Sequence, residues 1–182
     1  MREDHNLDKE TPLFLCPAGI RPVKMQRELL VIFDEVTADQ PVLQLIFCGP
    51  CLDENYSRAF LEDVSTRPWA HYLGSLSPDV MASVMRESDV IVNNSLAEGL
   101  SNSLVEAATL GIPILARNNL GNAAVVNQNV NGLLYSRPEE CNEMIMLLLD
   151  PHYRRKLSCP DENYSLKEEI SDLEAVLSEA VL

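Results

Sequence analysis

No run of 18 consecutive apolar residues occurs in this sequence, and its opening, MREDHNLDKE, is charged where a secretory leader would be apolar. A soluble, cytoplasmic protein without a membrane span is the expectation. Basic residues are scarce: 14 Lys and Arg stand against 28 Asp and Glu, a net charge of −14. A field of that sign repels polyphosphate chains and anionic lipid surfaces, which argues against nucleic acid as a partner and requires any phosphate ligand to find local help. The three histidines, His5, His71 and His152, are far apart, and no Asp-x-Asp pair is present to hold a divalent ion against a diphosphate. Neither a metal nor another cofactor is expected. The five cysteines, Cys16, Cys48, Cys51, Cys141 and Cys159, are an odd number in a chain with enough apolar residues to fold without disulfides, so they are read as reduced thiols.

What is present is a regular alternation. With 182 residues, 46% of them apolar, the chain can bury one proper core. Short apolar runs (LFLCPA, VLQLIFCG, AHYLG, DVIVNN, IPILA, GLLY) alternate with amphipathic ones (MQRELLVIFDEV, YSRAFLEDV, SPDVMASVMRES, residues 102–110, a brief helix from Gly121 to Val126, and Pro138 to Leu149). Strands apolar on both faces and separated by helices predict an α/β fold: a doubly wound, parallel, six-stranded Rossmann-like sheet. The division read from composition is an extension over 1–12, a domain over 13–150 and an acidic tail over 151–182. In that tail Ile170, Leu173, Val176, Leu177, Ala180 and Val181 follow helical spacing.

In such a sheet ligands bind beyond the carboxyl ends of the strands, at the point where strand order reverses. The stretch SLAEGLSNSLVEAATLGIPILA falls there, with Ser101 as the expected cap of a helix that Gly111 and Pro113 end. The amides of Leu100 to Ser103, at the positive end of that helix, suit a diphosphate, and Gly99 lets it approach. Glu106, further along the helix, accepts hydrogen bonds only and so matches a ribose diol, while Glu98 can meet hydroxyls on the other side. Arg21 and Lys24, in PAGIRPVK after the first strand, can neutralise phosphate oxygens.

The ordered series AGIRPVK, IFCGP, YLGSLS, DVIVNNSLAEGLSNSLVEAATLGIPILA, NLGNAAVV and NGLLY resembles the donor-binding, C-terminal half of retaining GT-B glycosyltransferases of group 1, from about Leu13 to Leu149. The resemblance implies that Glu106 holds the donor ribose, and that Glu98 with Gly99, Leu100 and Ser101 meets the sugar and diphosphate. It implies further that Arg21 and Lys24 stabilise the leaving nucleoside diphosphate, with Glu98, Arg21 and Lys24 as the catalytic set, and that the base lies near Gly74 and Leu76. A nucleotide sugar, UDP-hexose by frequency in the family, is the implied partner, transferred without a metal to an unknown acceptor. The family's usual proline before the first glutamate is Asn94 here, and its usual glycine after the Arg/Lys loop is Met25. An acceptor domain normally precedes this half, so the expectation is a truncated isoform with little activity alone, possessing an open face suited to a homodimer or another partner.

Two readings of other classes stand beside this one. Cys48-Gly49-Pro50-Cys51 matches the thioredoxin motif at a strand end, where a helix dipole would activate Cys48. A non-catalytic interaction module would use the open face for a partner, with exposed apolar area as its sign.

Overall fold

Along the strands, alternate side chains enter two different cores. In β1 (Leu13–Pro17), Phe14 and Cys16 face one side while Leu13 and Leu15 face the other. The same division holds for Leu45 and Phe47 against Ile46 and Cys48 in β2 (Gln44–Cys48). It holds again for Val90 and Val92 against Ile91 in β4 (Val90–Asn93). A strand with period-2 geometry and no polar face must be covered on both sides, which is why these runs carry no alternation of polarity. Each fully buried Leu, Ile or Phe adds roughly 1.5–3 kcal/mol of hydrophobic stabilisation, so such strands prefer the sheet centre to an edge.

The computed structural model describes residues 11–38 and 43–158. Its six strands, completed by β3 (Ala70–Tyr72), β5 (Ile114–Arg117) and β6 (Gly132–Tyr135), form one parallel sheet in the order β3-β2-β1-β4-β5-β6. The doubly wound six-stranded sheet expected from the alternation is therefore present, with its switch point between β1 and β4. On one face pack α1 (Gln26–Thr37), α2 (Glu54–Ser65) and α6 (Pro138–Leu149), through Leu29, Leu30, Phe33, Phe60, Ile145 and Leu148. On the other lie α3 (Pro78–Glu87) and α4 (Asn102–Leu110), through Val84, Met85, Leu104, Ala107 and Ala108. No helix among the described residues is long and apolar enough to cross a membrane.

Several local expectations need correction. Ser101 precedes α4 with an extended backbone but makes no capping hydrogen bond, and the same is true of Ser77 before α3. Pro78 supports the start of α3, and the Ser101 hydroxyl is engaged by Asn93. The brief helix expected over Gly121 to Val126 is α5 (Leu120–Ala123). It begins earlier because the Asn119 side chain accepts from the Asn122 amide at 3.0 Å, and past Ala123 the helical ladder ends as the Val125 amide bonds the Asn122 carbonyl at 3.1 Å instead of that of Gly121. Past Asp150, the carboxylate of Asp150 caps a further helix, α7 (Pro151–Leu157), whose Leu157 is buried in the core. Arg154 of α7 donates to the carbonyls of Leu148 and Leu149, which end α6 without helical partners. Most of the 1–12 extension, and the tail helix expected over Ile170 to Val181, lie outside the described residues.

Met25, between a 3-10 turn (Pro22–Lys24) and α1, has φ 51° and ψ 36°. A side-chain-bearing residue pays roughly 1–2 kcal/mol for this left-handed conformation. The position where the resemblance expects glycine is thus one that favours glycine, and this chain occupies it with methionine.

Candidate functional site

Buried polar residues collect where β4 ends. Asn93, Asn94 and Ser95 close an apolar strand, Ser101 precedes α4, and Asn122 lies in α5; all five are buried. Burying such groups costs free energy unless each is bonded, and they are bonded largely to one another. Asn93 Oδ1 accepts the Ser95 amide at 2.9 Å, and Asn93 Nδ2 donates to Ser101 Oγ at 3.0 Å. Asn119 Nδ2 holds the Ser95 carbonyl at 2.9 Å, and Asn122 Nδ2 holds the Arg117 carbonyl at 2.9 Å. Asn122 Oδ1 is the exception, buried with no partner among the described residues. The result is a rigid polar floor at the carboxyl edge of the sheet, beside the switch point.

Glu98 stands on this floor. Its Oε1 accepts from Ser95 Oγ at 2.6 Å and Asn93 Nδ2 at 3.2 Å, and it forms an ion pair with Lys24 Nζ. The two charged side chains are only 13% and 12% exposed. Partial burial pushes the Glu98 carboxyl up, but the bonds from Lys24, Ser95 and Asn93 outweigh it and hold the group below the ordinary carboxylate range. Lys24 follows β1 and Glu98 follows β4, so their contact bridges the place where strand order reverses. No donor among the described residues reaches Glu98 Oε2.

The other residues expected at the site are distributed around this pair. Gly99 and Leu100 are exposed, and the space where a Cβ on Gly99 would stand is open. The amides of Gly99, Leu100, Ser101, Asn102 and Ser103 donate to no described residue, leaving them available at the positive end of α4. Glu106 is exposed on α4 and makes no hydrogen bond or ion pair with the described residues. Arg21 is exposed at the start of the 3-10 turn, so of the two expected cations only Lys24 is brought to Glu98. Gly74, at φ 73°, follows β3 and accepts the Gly49 amide at 2.9 Å, while Leu76 packs partly into the core beside α3. Among the described residues no group of three or more His, Cys, Asp or Glu comes together as a metal site would require.

Sequence reasoning notes Asn94 only as a departure from the family pattern and singles out neither Asn93, Asn119 and Asn122 nor Arg117. Arg117, at the end of β5, donates to Asn94 Oδ1 at 3.0 Å and to Glu28 Oε2 at 2.7 Å, and its guanidinium lies 5.9 Å from the Tyr135 ring centroid. The available signal was the polar triplet Asn93-Asn94-Ser95 ending an apolar strand, because polar residues at a buried strand end must be either bonded or used. Asn94 and Met25, the two departures from the family pattern, turn out to touch, with Asn94 Nδ2 donating to the Met25 carbonyl at 2.8 Å.

The redox reading of Cys48 and Cys51 finds no support in this geometry. Cys48 is fully buried against Met81, and burial pushes its thiol up to about 12, the reverse of what an attacking thiolate needs. Burial likewise pushes Cys16 and Cys141 up to about 12. Iodoacetamide at pH 8 is accordingly expected to label exposed Cys51 on the folded chain and to spare Cys16, Cys48 and Cys141 until denaturant is added. Peptide mass spectrometry reads the pattern, and rapid labelling of Cys48 would restore the redox reading.

Comparisons with known proteins agree with the fold. The family model described as glycosyl transferases group 1 matches residues 1–159. Glycosyltransferase 1 domain-containing protein 1 of Xenopus tropicalis is 27% identical over 153 residues, covering 84% of this chain and 44% of that protein. A GDP-mannose-dependent monoacylated alpha-(1-6)-phosphatidylinositol monomannoside mannosyltransferase of Corynebacterium glutamicum is 27% identical over 154 residues, 80% of this chain and 40% of that protein. The chain thus spans less than half the length of these curated relatives. Among solved structures, HepE of Anabaena in complex with UDP-glucose superposes with a TM-score of 0.81 at 18% identity, over 93% of this chain and 49% of that one. The C-terminal domain of a glycosyl transferase group 1 family protein from Francisella tularensis gives a TM-score of 0.72 at 18% identity, over 90% of both chains. With the family matched over most of its length and the parallel sheet in place, the chain belongs to the group 1 glycosyl transferases and has the Rossmann-like fold of a GT-B C-terminal domain.

Proposed function

We propose that this chain binds a nucleoside-diphosphate sugar, a UDP-hexose, as donor for glycosyl transfer with retention of anomeric configuration. The observation that carries the reading is the Lys24–Glu98 pair across the switch point, next to the open first turn of α4. Arg21, Lys24 and the amides of Gly99, Leu100 and Ser101 supply positive potential for the diphosphate in an otherwise acidic chain. Because those groups meet its charge, the donor site works without a resident metal. Glu106 accepts from the ribose diol, and Glu98 accepts from sugar hydroxyls. Gly74 and Leu76 stand by the base. As the bond from sugar to diphosphate breaks, negative charge grows on the departing phosphate, and Lys24 and Arg21 stabilise it more than they stabilise the bound donor. The UDP-glucose complex of HepE supports the choice of nucleotide.

Calorimetric titration with UDP, GDP and ADP, alongside Glu106→Ala, tests this proposal. Saturable binding of UDP is expected, about tenfold weaker in the variant, since a hydrogen bond to a charged group contributes roughly 1.5–3 kcal/mol. No binding of any nucleotide by the folded chain would overturn the reading. A partner-binding face would then lead, favoured by Leu96, Leu100 and Leu120, which are 53%, 50% and 93% exposed around the same edge. Gel filtration showing a dimer would be its sign.

A further inference from the structure

We infer that Asn94, buried and out of reach of any ligand, is the positioning residue that fixes Lys24. Lys24 sits in the middle of a three-residue segment held on both sides by the chain following β4. On one side the Leu96 amide donates to the Val23 carbonyl at 2.9 Å; on the other, Asn94 Nδ2 donates to the Met25 carbonyl at 2.8 Å. The second bond bears on the left-handed Met25, whose conformation an L side chain disfavours: nearby in the chain its amide donates to the Pro22 carbonyl at 3.0 Å and its carbonyl accepts the Leu29 amide at 3.1 Å, and Asn94 adds a bond from outside that segment. If Met25 relaxed to an ordinary conformation, the chain direction leaving Lys24 would change, and its ammonium would leave Glu98.

The orientation of the Asn94 carboxamide is itself determined. Arg117 Nε, which can only donate, lies 3.0 Å from Oδ1, and the Met25 carbonyl, which can only accept, lies 2.8 Å from Nδ2. The Tyr135 hydroxyl adds a second donor to Oδ1 at 2.6 Å. Glu28 holds Arg117 from α1, so the amide is braced from β5, β6 and α1 together. Asn94 thus presents one donor, in one direction, to the one strained carbonyl beside Lys24.

This inference rests on the proposed donor site for its ligand, but the clamp can be read on Glu98 without any ligand. Three variants are compared with the native chain: Asn94→Ala, Met25→Gly, and the two combined. The readouts are UDP affinity by calorimetry and the titration of the Glu98 carboxyl by carbon-detected NMR. Asn94→Ala is expected to weaken UDP about tenfold and to bring the Glu98 titration back toward the ordinary carboxylate range, as Lys24 drifts away. Adding Met25→Gly is expected to recover most of both, because glycine holds the left-handed conformation unaided. A merely structural Asn94 would lower thermal stability while leaving both readouts of the folded protein at native values, and that result would overturn the inference. So would failure of Met25→Gly to restore them. If the native chain binds no UDP, the donor-site reading fails while the Glu98 titration still decides the clamp. Should Asn94→Ala not fold, Asn94→Ser, which keeps a small polar side chain but does not reach the Met25 carbonyl, takes its place with the same expected and overturning results.

Discussion

Glu98→Gln is expected to bind UDP about fivefold more tightly than the native chain and UDP-glucose about tenfold more weakly. The two changes have opposite signs because Glu98 has two dealings. Its Oε1 is the anion to which Lys24 is already paired, so a diphosphate must draw the ammonium away from a carboxylate that is itself mostly buried. A glutamine of the same shape keeps an acceptor for Ser95 and Asn93 but removes the charge, and release of about 1 kcal/mol of ion pairing corresponds to roughly fivefold in affinity. A sugar hydroxyl, in contrast, needs an acceptor at Oε2, which no described residue satisfies, and the amide nitrogen of glutamine cannot accept. Losing a charge-assisted bond of roughly 1.5–3 kcal/mol outweighs the gain at the phosphate. Paired titrations with UDP and UDP-glucose read the ratio. Equal weakening of both ligands would mean that Glu98 only shapes its turn, and tightening of both would mean that it never meets the sugar. The same pair sets the sign of a pH effect. The folded-state carboxyl lies below its unfolded value, so its contribution to stability is complete above the ordinary carboxylate range and is lost as pH falls through the folded value. Native and Glu98→Gln stability curves should therefore converge in acid.

The fold was legible because its signal is local. Phe14 and Leu15, adjacent and both apolar, cannot share a face of a strand, so a two-sided sheet follows from the sequence without any knowledge of partners. Gly111, at φ 66°, ends α4 where the sequence places its stop. The site was legible in its types but not in its wiring. Arg21 and Lys24 look equivalent in PAGIRPVK, yet the 3-10 turn between them sends one to solvent and the other to Glu98, 74 positions away. Asn94 shows the same limit: its partners are Met25, Arg117 and Tyr135, at separations of 69, 23 and 41 residues, and no periodicity encodes such contacts.

Gly121→Ala is expected to lower the affinity for UDP-glucose about a hundredfold in a protein that still folds, while Leu120→Ala, one position earlier, changes nothing. A Cβ on Gly121 would stand 2.2 Å from the Gly99 carbonyl oxygen, 2.6 Å from that of Glu98 and 2.7 Å from the Glu98 Cβ. These are backbone atoms and a side-chain root, not the ends of flexible groups, so relief requires α5 and the Glu98–Gly99 turn to separate by about 1 Å. The turn has little freedom to follow, because Asn119 of the α5 start also holds the Ser95 carbonyl, and Ser95 holds Glu98. Overpacking of this kind costs roughly 1–3 kcal/mol of stability, which a chain with two full cores can bear. Its effect on the ligand is separate: losing one bond to the charged Glu98 and one to a turn amide forfeits about 2.7 kcal/mol, a hundredfold in affinity. Leu120 is 93% exposed on the same short helix, so its truncation separates a packing effect at Gly99 from any general loosening of α5. Thermal midpoints and UDP-glucose titrations of the two variants provide the measurement. An affinity unchanged in Gly121→Ala, at a lowered midpoint, would show that the turn carrying Glu98 and Gly99 is not where the sugar nucleotide is held.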